Sequence, residues 1–598
     1  LDQIERGVAD SAIHLGVIAR HRAGATSELG LTMPLSWELI YRAGSPTSEK
    51  SLRFVETRLQ VFSESRVNEQ LRQLGVTAVM PAAVKRHPIQ FTGAPVFSLA
   101  ALIPLILVLT TVTGAVYPAI DLTAGERERG TLEMLIAAPV PRLGLLLGKY
   151  VAVLAVALVT AIVNLVGMTI TAQSTGLSAM LFPSQGMSLA VVLKVWLLLC
   201  LLAAFFSAVL LAITSYARSF KEAQAYIIPL MLVCLVPGVI CLLPSLEFTP
   251  ALAVTPLMNI VMLSRDVLEG DVSPVLAAAA VLSTAIYVAA AIALAARIFG
   301  TDAVLYGSPA TWSDILRRPS LPQAATSPSA AMFALAIMFP TYFILAGSLA
   351  QSYRDDLPQR MALSALVTVL VFVAIPAAVS TFHRARPASG LGLRKTPWLA
   401  MLAAVILGLA LWPFAHELFL FNQWLGITSF ASGQVTLVRE FADELRRLPW
   451  ALVLVTLALA PGVCEEFFFR GLLFGALRRT LSPTATVVAT AILFGLFHVV
   501  GGNVFMPERF LPSAFLGLAL GWVRLRTGSI LPSILLHAIH NGFLLSIMYW
   551  QDELQARGIG VEDAIHLPLA WLAAAALAVF AGALLLVAAT RRRSNVAE

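Results

Sequence analysis

Long apolar stretches recur between residues 97 and 590, most of them near the roughly 20 residues a helix needs to cross the hydrocarbon of a bilayer. Backbone in hydrocarbon must satisfy its own N–H and C=O groups, so these stretches are expected to be helices. About thirteen spans are expected, five before a loop rich in Pro, Ser and Ala and eight after it. The first five cover 97–120, 150–170, 189–213, 225–243 and 275–296. The others cover 330–350, 361–379, 398–414, 449–479, 485–500, 511–523, 530–549 and 567–590. Of these, 449–479 is too long for one perpendicular crossing. With 58% hydrophobic and 13% charged residues, the chain is too apolar for a soluble protein. The expected class is an all-α polytopic membrane protein.

Residues 1–95 are more polar. Trp37-Glu38-Leu39-Ile40-Tyr41 reads as a strand, and Ser45-Pro46 as the start of a helix running through Leu71. Its apolar face is Leu52, Val55, Leu59 and Phe62. A small α/β domain outside the bilayer is therefore expected over 1–95. A first set of membrane helices follows over 96–299, then a cytoplasmic linker over 300–329 and a second helical domain over 330–592.

Lys and Arg fall mainly in alternate loops, at Arg127 and Arg129, Arg218 and Lys221, Arg317 and Arg318, Arg384 to Lys395, Arg478 and Arg479, Arg524 and Arg526, and Arg591 to Arg593. The intervening loops lean acidic, as at Asp266, Glu269 and Asp271, and at Asp355 and Asp356. The positive-inside rule puts the basic side in the cytoplasm of a bacterial-type inner membrane, with residues 1–95 extracytoplasmic and the C-terminus cytoplasmic. It also accounts for the net charge of +7 without nucleic acid. The chain opens at Leu1 with neither methionine nor signal peptide, so a fragment lacking its first span is expected. The four cysteines, Cys200, Cys234, Cys241 and Cys464, lie in apolar stretches at spacings typical of neither zinc sites nor disulfide scaffolds.

Against this apolar background stand Cys464-Glu465-Glu466-Phe467-Phe468-Phe469-Arg470, then Phe494-Gly495-Leu496-Phe497-His498, then His537-Ala538-Ile539-His540-Asn541. Ionisable groups at mid-membrane cost roughly 2.5–3.5 kcal/mol each on insertion scales and are functional candidates by default. Counting a helical rise of about 1.5 Å per residue, Glu465 and His498 lie roughly 20 Å from the basic side and His537 roughly 16 Å. Three helices thus bring polar residues to similar depths. Glu466 and Arg470 are four apart and can pair on one face, leaving Glu465 free; His537 and Asn541 share a face in the same way. Interhelical hydrogen bonding alone would explain one such histidine, but a water-using site explains the set.

These three motifs, Glu-Glu-x-x-x-Arg, Phe-x-x-x-His and His-x-x-x-Asn, resemble the signatures of the CAAX-protease and bacteriocin-processing family of intramembrane endopeptidases. The resemblance implies hydrolysis of a peptide bond near the membrane, in a bundle of about eight helices over 330–592. Glu465 with His498 would deprotonate the attacking water. His537 and Asn541 would donate hydrogen bonds to the oxyanion. Glu465, His498 and His537 could instead ligate a divalent metal such as zinc; the metal-independent route is preferred. His540 receives no role. Two other runs are discarded. His416-Glu417 lacks the second histidine of a zinc-protease motif, and Gly144 to Lys149 is one residue short of a phosphate loop.

Between the first two spans lies Gly125-Glu126-Arg127-Glu128-Arg129-Gly130-Thr131-Leu132-Glu133, then Ala138-Pro139-Val140-Pro141-Arg142 and Gly148-Lys149. This run resembles the signature of type-2 ABC exporter permeases, particularly the sodium-exporter permease kind. The resemblance covers residues 1 to about 300 and implies a coupling helix that docks on a separate ATP-binding subunit. Gly125, Glu126, Glu128, Arg129, Gly130 and Glu133 would contribute to it. ATP would be used only through that partner, and a homodimer through the permease half is one arrangement the kind allows. Two functions are thus carried forward: a fused exporter permease and intramembrane protease, or a transport or immunity protein whose protease half is a non-catalytic scaffold.

Overall fold

The computed structural model describes residues 99–175, 188–243, 246–270, 272–299, 318–353, 356–427, 441–501, 504–557 and 566–594, with shorter pieces between 4 and 59 and the strand at 84–89. The described residues divide into two compact units, Leu1–Leu105 with Val236–Glu247, and Ile106–Leu235 with Phe248–Glu598.

In the first unit, strands β1 (Leu15–Arg20), β2 (Ser36–Arg42) and β3 (Val84–Ile89) form one sheet in that order. β1 runs antiparallel to β2, with Leu15 opposite Tyr41, and β3 runs parallel to β2, with Trp37 beside Val84. Leu39, Ile40 and the helical residue Leu52 are buried, as the apolar pattern requires. The expected helix start at Ser45-Pro46 and its end near Leu71 lie outside the described residues.

The helices begin with α1 (Leu99–Ile120), which continues through a π turn at Asp121–Gly125 to Glu128. The short α2 (Thr131–Ala137) follows. Then come α3 (Arg142–Ser174), α4 (Leu189–Thr214), α5 (Phe220–Ile240), the short α6 (Met258–Glu269) and α7 (Pro274–Phe299). Beyond the partly described 300–329 segment lie α8 (Pro328–Ser352), α9 (Leu357–Phe382), α10 (Trp398–Trp424) and α11 (Trp450–Leu477). The last four are α12 (Pro483–Val499), α13 (Phe510–Thr527), α14 (Leu531–Tyr549) and α15 (Leu569–Ser594).

Among the described residues eleven helices are long and apolar enough to cross a membrane, so the chain is a polytopic, mainly helical membrane protein. The difference from thirteen lies in α12 and α13. α12 has 17 residues, and α13 carries Arg524 and Arg526 in its last turn. The stretch expected to be too long for one crossing is a single helix, α11, containing π segments at Val455–Leu459 and Phe467–Leu473.

Local sequence sets several starts. Ser327 and Ser482 accept hydrogen bonds from Ala330 N and Ala485 N, with proline next in each case. Small residues allow close approach where α14 crosses α11: a Cβ on Gly462 would stand 3.0 Å from the Ala538 nitrogen. The same holds between α12 and α13, where a Cβ on Gly517 would stand 2.9 Å from the Ala491 Cα. These contacts bring α11, α12, α13 and α14 together.

The largest apolar cluster joins both halves of the chain. Ala279 and Ile286 of α7 share it with Phe339, Phe372, Phe468, Phe494 and Phe497. After α12 the chain forms a small hairpin, β4 (Val500–Gly501) against β5 (Val504–Phe505), with Val500 in the same cluster.

Candidate active site

α11 delivers Glu465, Glu466 and Arg470; α12 delivers His498 in its last turn; α14 delivers His537 and Asn541. Glu466 and Arg470 are fully buried, and Arg470 Nη1 donates to Glu466 Oε1 at 2.8 Å. The guanidinium also donates through Nη2 to the Gly517 carbonyl at 3.1 Å and lies over the Phe494 ring, 4.4 Å from its centroid. The π segment that contains Arg470 is an uncommon backbone form that recurs at functional sites.

His498 Nδ1 lies 2.8 Å from the Phe494 carbonyl oxygen. A carbonyl can only accept, so Nδ1 carries the proton and the neutral ring's Nε2 has a free lone pair. That Nε2 faces Glu465 Oε2 at 3.7 Å, beyond a direct hydrogen bond. Glu465 Oε2 is buried and makes no hydrogen bond. The expected pair is therefore assembled, with a gap between two acceptors.

His537 also meets Glu466. Its Nδ1 lies 3.1 Å from Glu466 Oε1, so Glu466 holds Arg470 and His537 together rather than pairing with arginine alone. Glu466 accepts from arginine as a carboxylate, and His537 Nδ1 is then the donor. Phe494 stands between the two groups, its ring centroid 4.5 Å from His498's and 5.7 Å from His537's. Asn541, one turn beyond His537 on α14, is half-buried. His540 is buried with an unpartnered Nδ1. The proposed metal set does not converge. Glu465 faces His498, while His537 faces Glu466, and among the described residues no group of three His, Cys, Asp or Glu is placed to hold a metal ion.

The charged run after α1 makes contacts within the helical bundle. Glu126 pairs with Lys149 of α3, which donates as well to the Leu122 carbonyl, and both side chains are largely buried. Arg127 donates to the Ser215 and Ala217 carbonyls, and Glu128 accepts from Phe220 N at the start of α5. Arg129 pairs with Asp121 at 2.8 Å, and this hydrogen bond holds its guanidinium pKa above the ordinary value. The run thus ties helix ends together. Gly125 is buried beneath it, and Gly130 takes a left-handed turn, φ 71°, that starts α2. On α2, Leu132 packs inward against Leu146, Ile298 and Phe299, leaving Glu133 and Met134 exposed. Spacing marked this run as charged, but the Glu126–Lys149 pairing depends on packing between α1 and α3.

The described helices thus carry two polar clusters, one at the charged run after α1 and one where α11, α12 and α14 meet. Comparison with known proteins gives the same division. Residues 48–304 match the model of the ABC-2 family transporter protein, and residues 447–543 match that of the Type II CAAX prenyl endopeptidase Rce1-like family. The chain is also similar to the ABC transporter permease protein NatB of Bacillus subtilis (strain 168), at 26% identity over 261 residues. That similarity covers 41% of this chain and spans 64% of the relative's length. No solved structure matches.

Proposed function

We infer that the C-terminal half is an intramembrane endopeptidase in which Glu465 and His498 hold and activate a water molecule. The reading rests on two facing acceptors, the unpartnered Glu465 Oε2 and the bare His498 Nε2, 3.7 Å apart. A water donating one proton to each would satisfy both and keep its oxygen lone pairs for a carbonyl carbon. Attack forms the C–O bond while Glu465 takes the water's proton. Collapse breaks the C–N bond, and Glu465 passes that proton to the leaving nitrogen.

Asn541 donates to the tetrahedral oxyanion as a neutral amide. His537 can donate from Nε2 when its ring carries both protons, and Glu466, facing Nδ1, supplies the counter-charge. No step is routed through a metal, since among the described residues Glu465 faces His498 while His537 faces Glu466. The Rce1-like match directs the choice of substrate to prenylated CAAX-type peptides.

The N-terminal half is read as an exporter permease that binds a separate ATP-binding subunit. The docking surface is the Gly125–Glu133 segment, on which Glu128, Arg129, Gly130 and Glu133 are exposed, extended by the exposed Met134 of α2, Val140 of the turn that follows and Leu143 at the start of α3. Residues 1–95 face the extracytoplasmic side and the arginine-rich helix ends face the cytoplasm. The domain limits remain 1–95, 96–299, 300–329 and 330–592.

Proteoliposomes offered a quenched-fluorescent farnesylated CAAX peptide and its unprenylated twin should cleave at least one, with or without chelator. Loss of cleavage on chelation would transfer the chemistry to a metal. Cleavage of neither would favour a non-catalytic scaffold.

A further inference from the structure

The chain leading into α8 is strapped across the ends of α9 and α11. Gln323 N donates to the Arg384 carbonyl at 3.0 Å, and the Gln323 carbonyl accepts from Arg386 N at 2.9 Å. Ser389 Oγ donates to the Ala324 carbonyl at 2.6 Å, and Arg479, just past α11, donates through Nη1 to the Ala325 carbonyl at 3.0 Å. Arg384 donates to the Ser320 carbonyl, and Arg318 to the Thr381 carbonyl at 3.3 Å. Arg384 also takes φ 51°, a left-handed conformation that few side chains adopt. Four arginines from three segments thus crowd one short strap, and all four are exposed.

The side-chain hydrogen bonds of Arg318, Arg384 and Arg479 go to backbone carbonyls, which carry no net charge. Segments 318–327, 381–397 and 474–486 contain no Asp or Glu. Each guanidinium has five N–H donors, and most of them are left over here. Like charges held this close repel one another until an anion joins them. The group lies at the ends of α8, α9 and α11, all long and apolar enough to cross a membrane, and so at the level of lipid headgroups. Apolar side chains are exposed in the same place: Leu321 of the strap is 70% exposed and Phe382, the last residue of α9, 43%. A free phosphate has nothing to offer them, whereas a lipid brings its acyl chains.

We propose that Arg318, Arg384, Arg386 and Arg479 form a binding surface for the headgroup of an anionic phospholipid, with Leu321 and Phe382 against its acyl chains. The phosphate oxygens accept charge-assisted hydrogen bonds from the unspent guanidinium donors. The headgroup supplies the negative charge that the strap lacks, and fastens the end of the 300–329 segment to α9 and α11.

Native mass spectrometry of the full chain, delipidated in a zwitterionic detergent and offered equimolar dioleoyl phosphatidylglycerol and dioleoyl phosphatidylcholine, tests this. The phosphatidylglycerol-bound form should dominate. Arg386→Gln removes a guanidinium that the strap does not use, so its unfolding temperature should be the parent's. Its phosphatidylglycerol binding should weaken roughly fivefold, the share of one basic residue near an anionic surface. Adding Arg384→Gln should weaken it roughly fivefold again, whereas Arg386→Lys, which keeps the charge, should stay within about twofold of the parent. Equal retention of the two lipids, or parental phosphatidylglycerol binding by both glutamine variants, would overturn the proposal. Glycerol phosphate, a headgroup without acyl chains, should fail to displace the lipid at equal concentration. Displacement by it would make this a site for a soluble phosphate and overturn the assignment to lipid.

Discussion

Arg470 Nη1 stands 2.8 Å from Glu466 Oε1, with both side chains fully buried in the helical bundle. Neither charge could be left alone there. Removing one partner of such a pair costs about 3–5 kcal/mol, because the other stays buried and uncompensated. Arg470→Ala should therefore lower the unfolding temperature and the yield of folded protein in detergent. Glu466→Gln combined with Arg470→Met, which removes both charges at similar volume, should recover part of the loss. A fully stable Arg470→Ala protein would show that the pair does not hold the bundle.

The Glu126–Lys149 pair gives a different expectation for the permease half. Because Glu126 is turned inward, Glu126→Lys should destabilise the protein by about 3–5 kcal/mol through two facing buried cations. The double exchange Glu126→Lys with Lys149→Glu should restore folding. Met134→Asp with Leu143→Asp, on the exposed surface, should instead leave the unfolding temperature unchanged and weaken co-purification with the ATP-binding subunit. Full retention of that partner by the aspartate variant would move the docking surface elsewhere.

The apolar cluster shared by α7 and the C-terminal helices predicts that the two halves of the chain depend on each other. Residues 318–598 expressed alone would expose the surface that Ala279 and Ile286 cover, although α8 to α15 would be intact. Thermal unfolding in one detergent should show a clear loss of stability, reversed by co-expression with residues 1–317. Equal stability of the isolated half would show that α7 merely lies beside it.

His383 follows α9 outside the apolar segment, and burial, then the nearby Arg297 and Arg479, lower its pKa from 6.5. Its unfolded form binds a proton more readily than its folded form. Stability from this residue is complete above pH 6.5 and is lost as the pH falls below that value. In His383→Gln the decline in unfolding temperature between neutral and mildly acidic pH should be shallower. An unaltered pH profile would show that other groups carry the acid sensitivity.

Much of this was legible in the chain, for identifiable reasons. Spans follow from uninterrupted apolar length, the Trp37–Tyr41 strand from its local pattern, and the Glu466–Arg470 pair from four-residue spacing. All three depend on neighbours along one stretch of chain. The rest depends on contacts between helices. Nothing near Glu126 marks Lys149 as its partner, and nothing near His537 shows that it turns to Glu466. The stretch 485–500 is read as a span from its apolar content, yet α12 has 17 residues, and the hairpin beyond it depends on pairing Val500 with Phe505.

The central claim is that Glu465 and His498 activate a water, and Glu465→Gln tests it most directly because it removes the base at nearly constant size. Initial rates of farnesylated CAAX peptide cleavage should be compared for parent and variant proteoliposomes at matched folded protein, alongside peptide binding. Cleavage should fall at least about a hundredfold, since general-base catalysis contributes roughly 100- to 10,000-fold, while binding survives. Near-parental cleavage by the Glu465→Gln protein would contradict the mechanism.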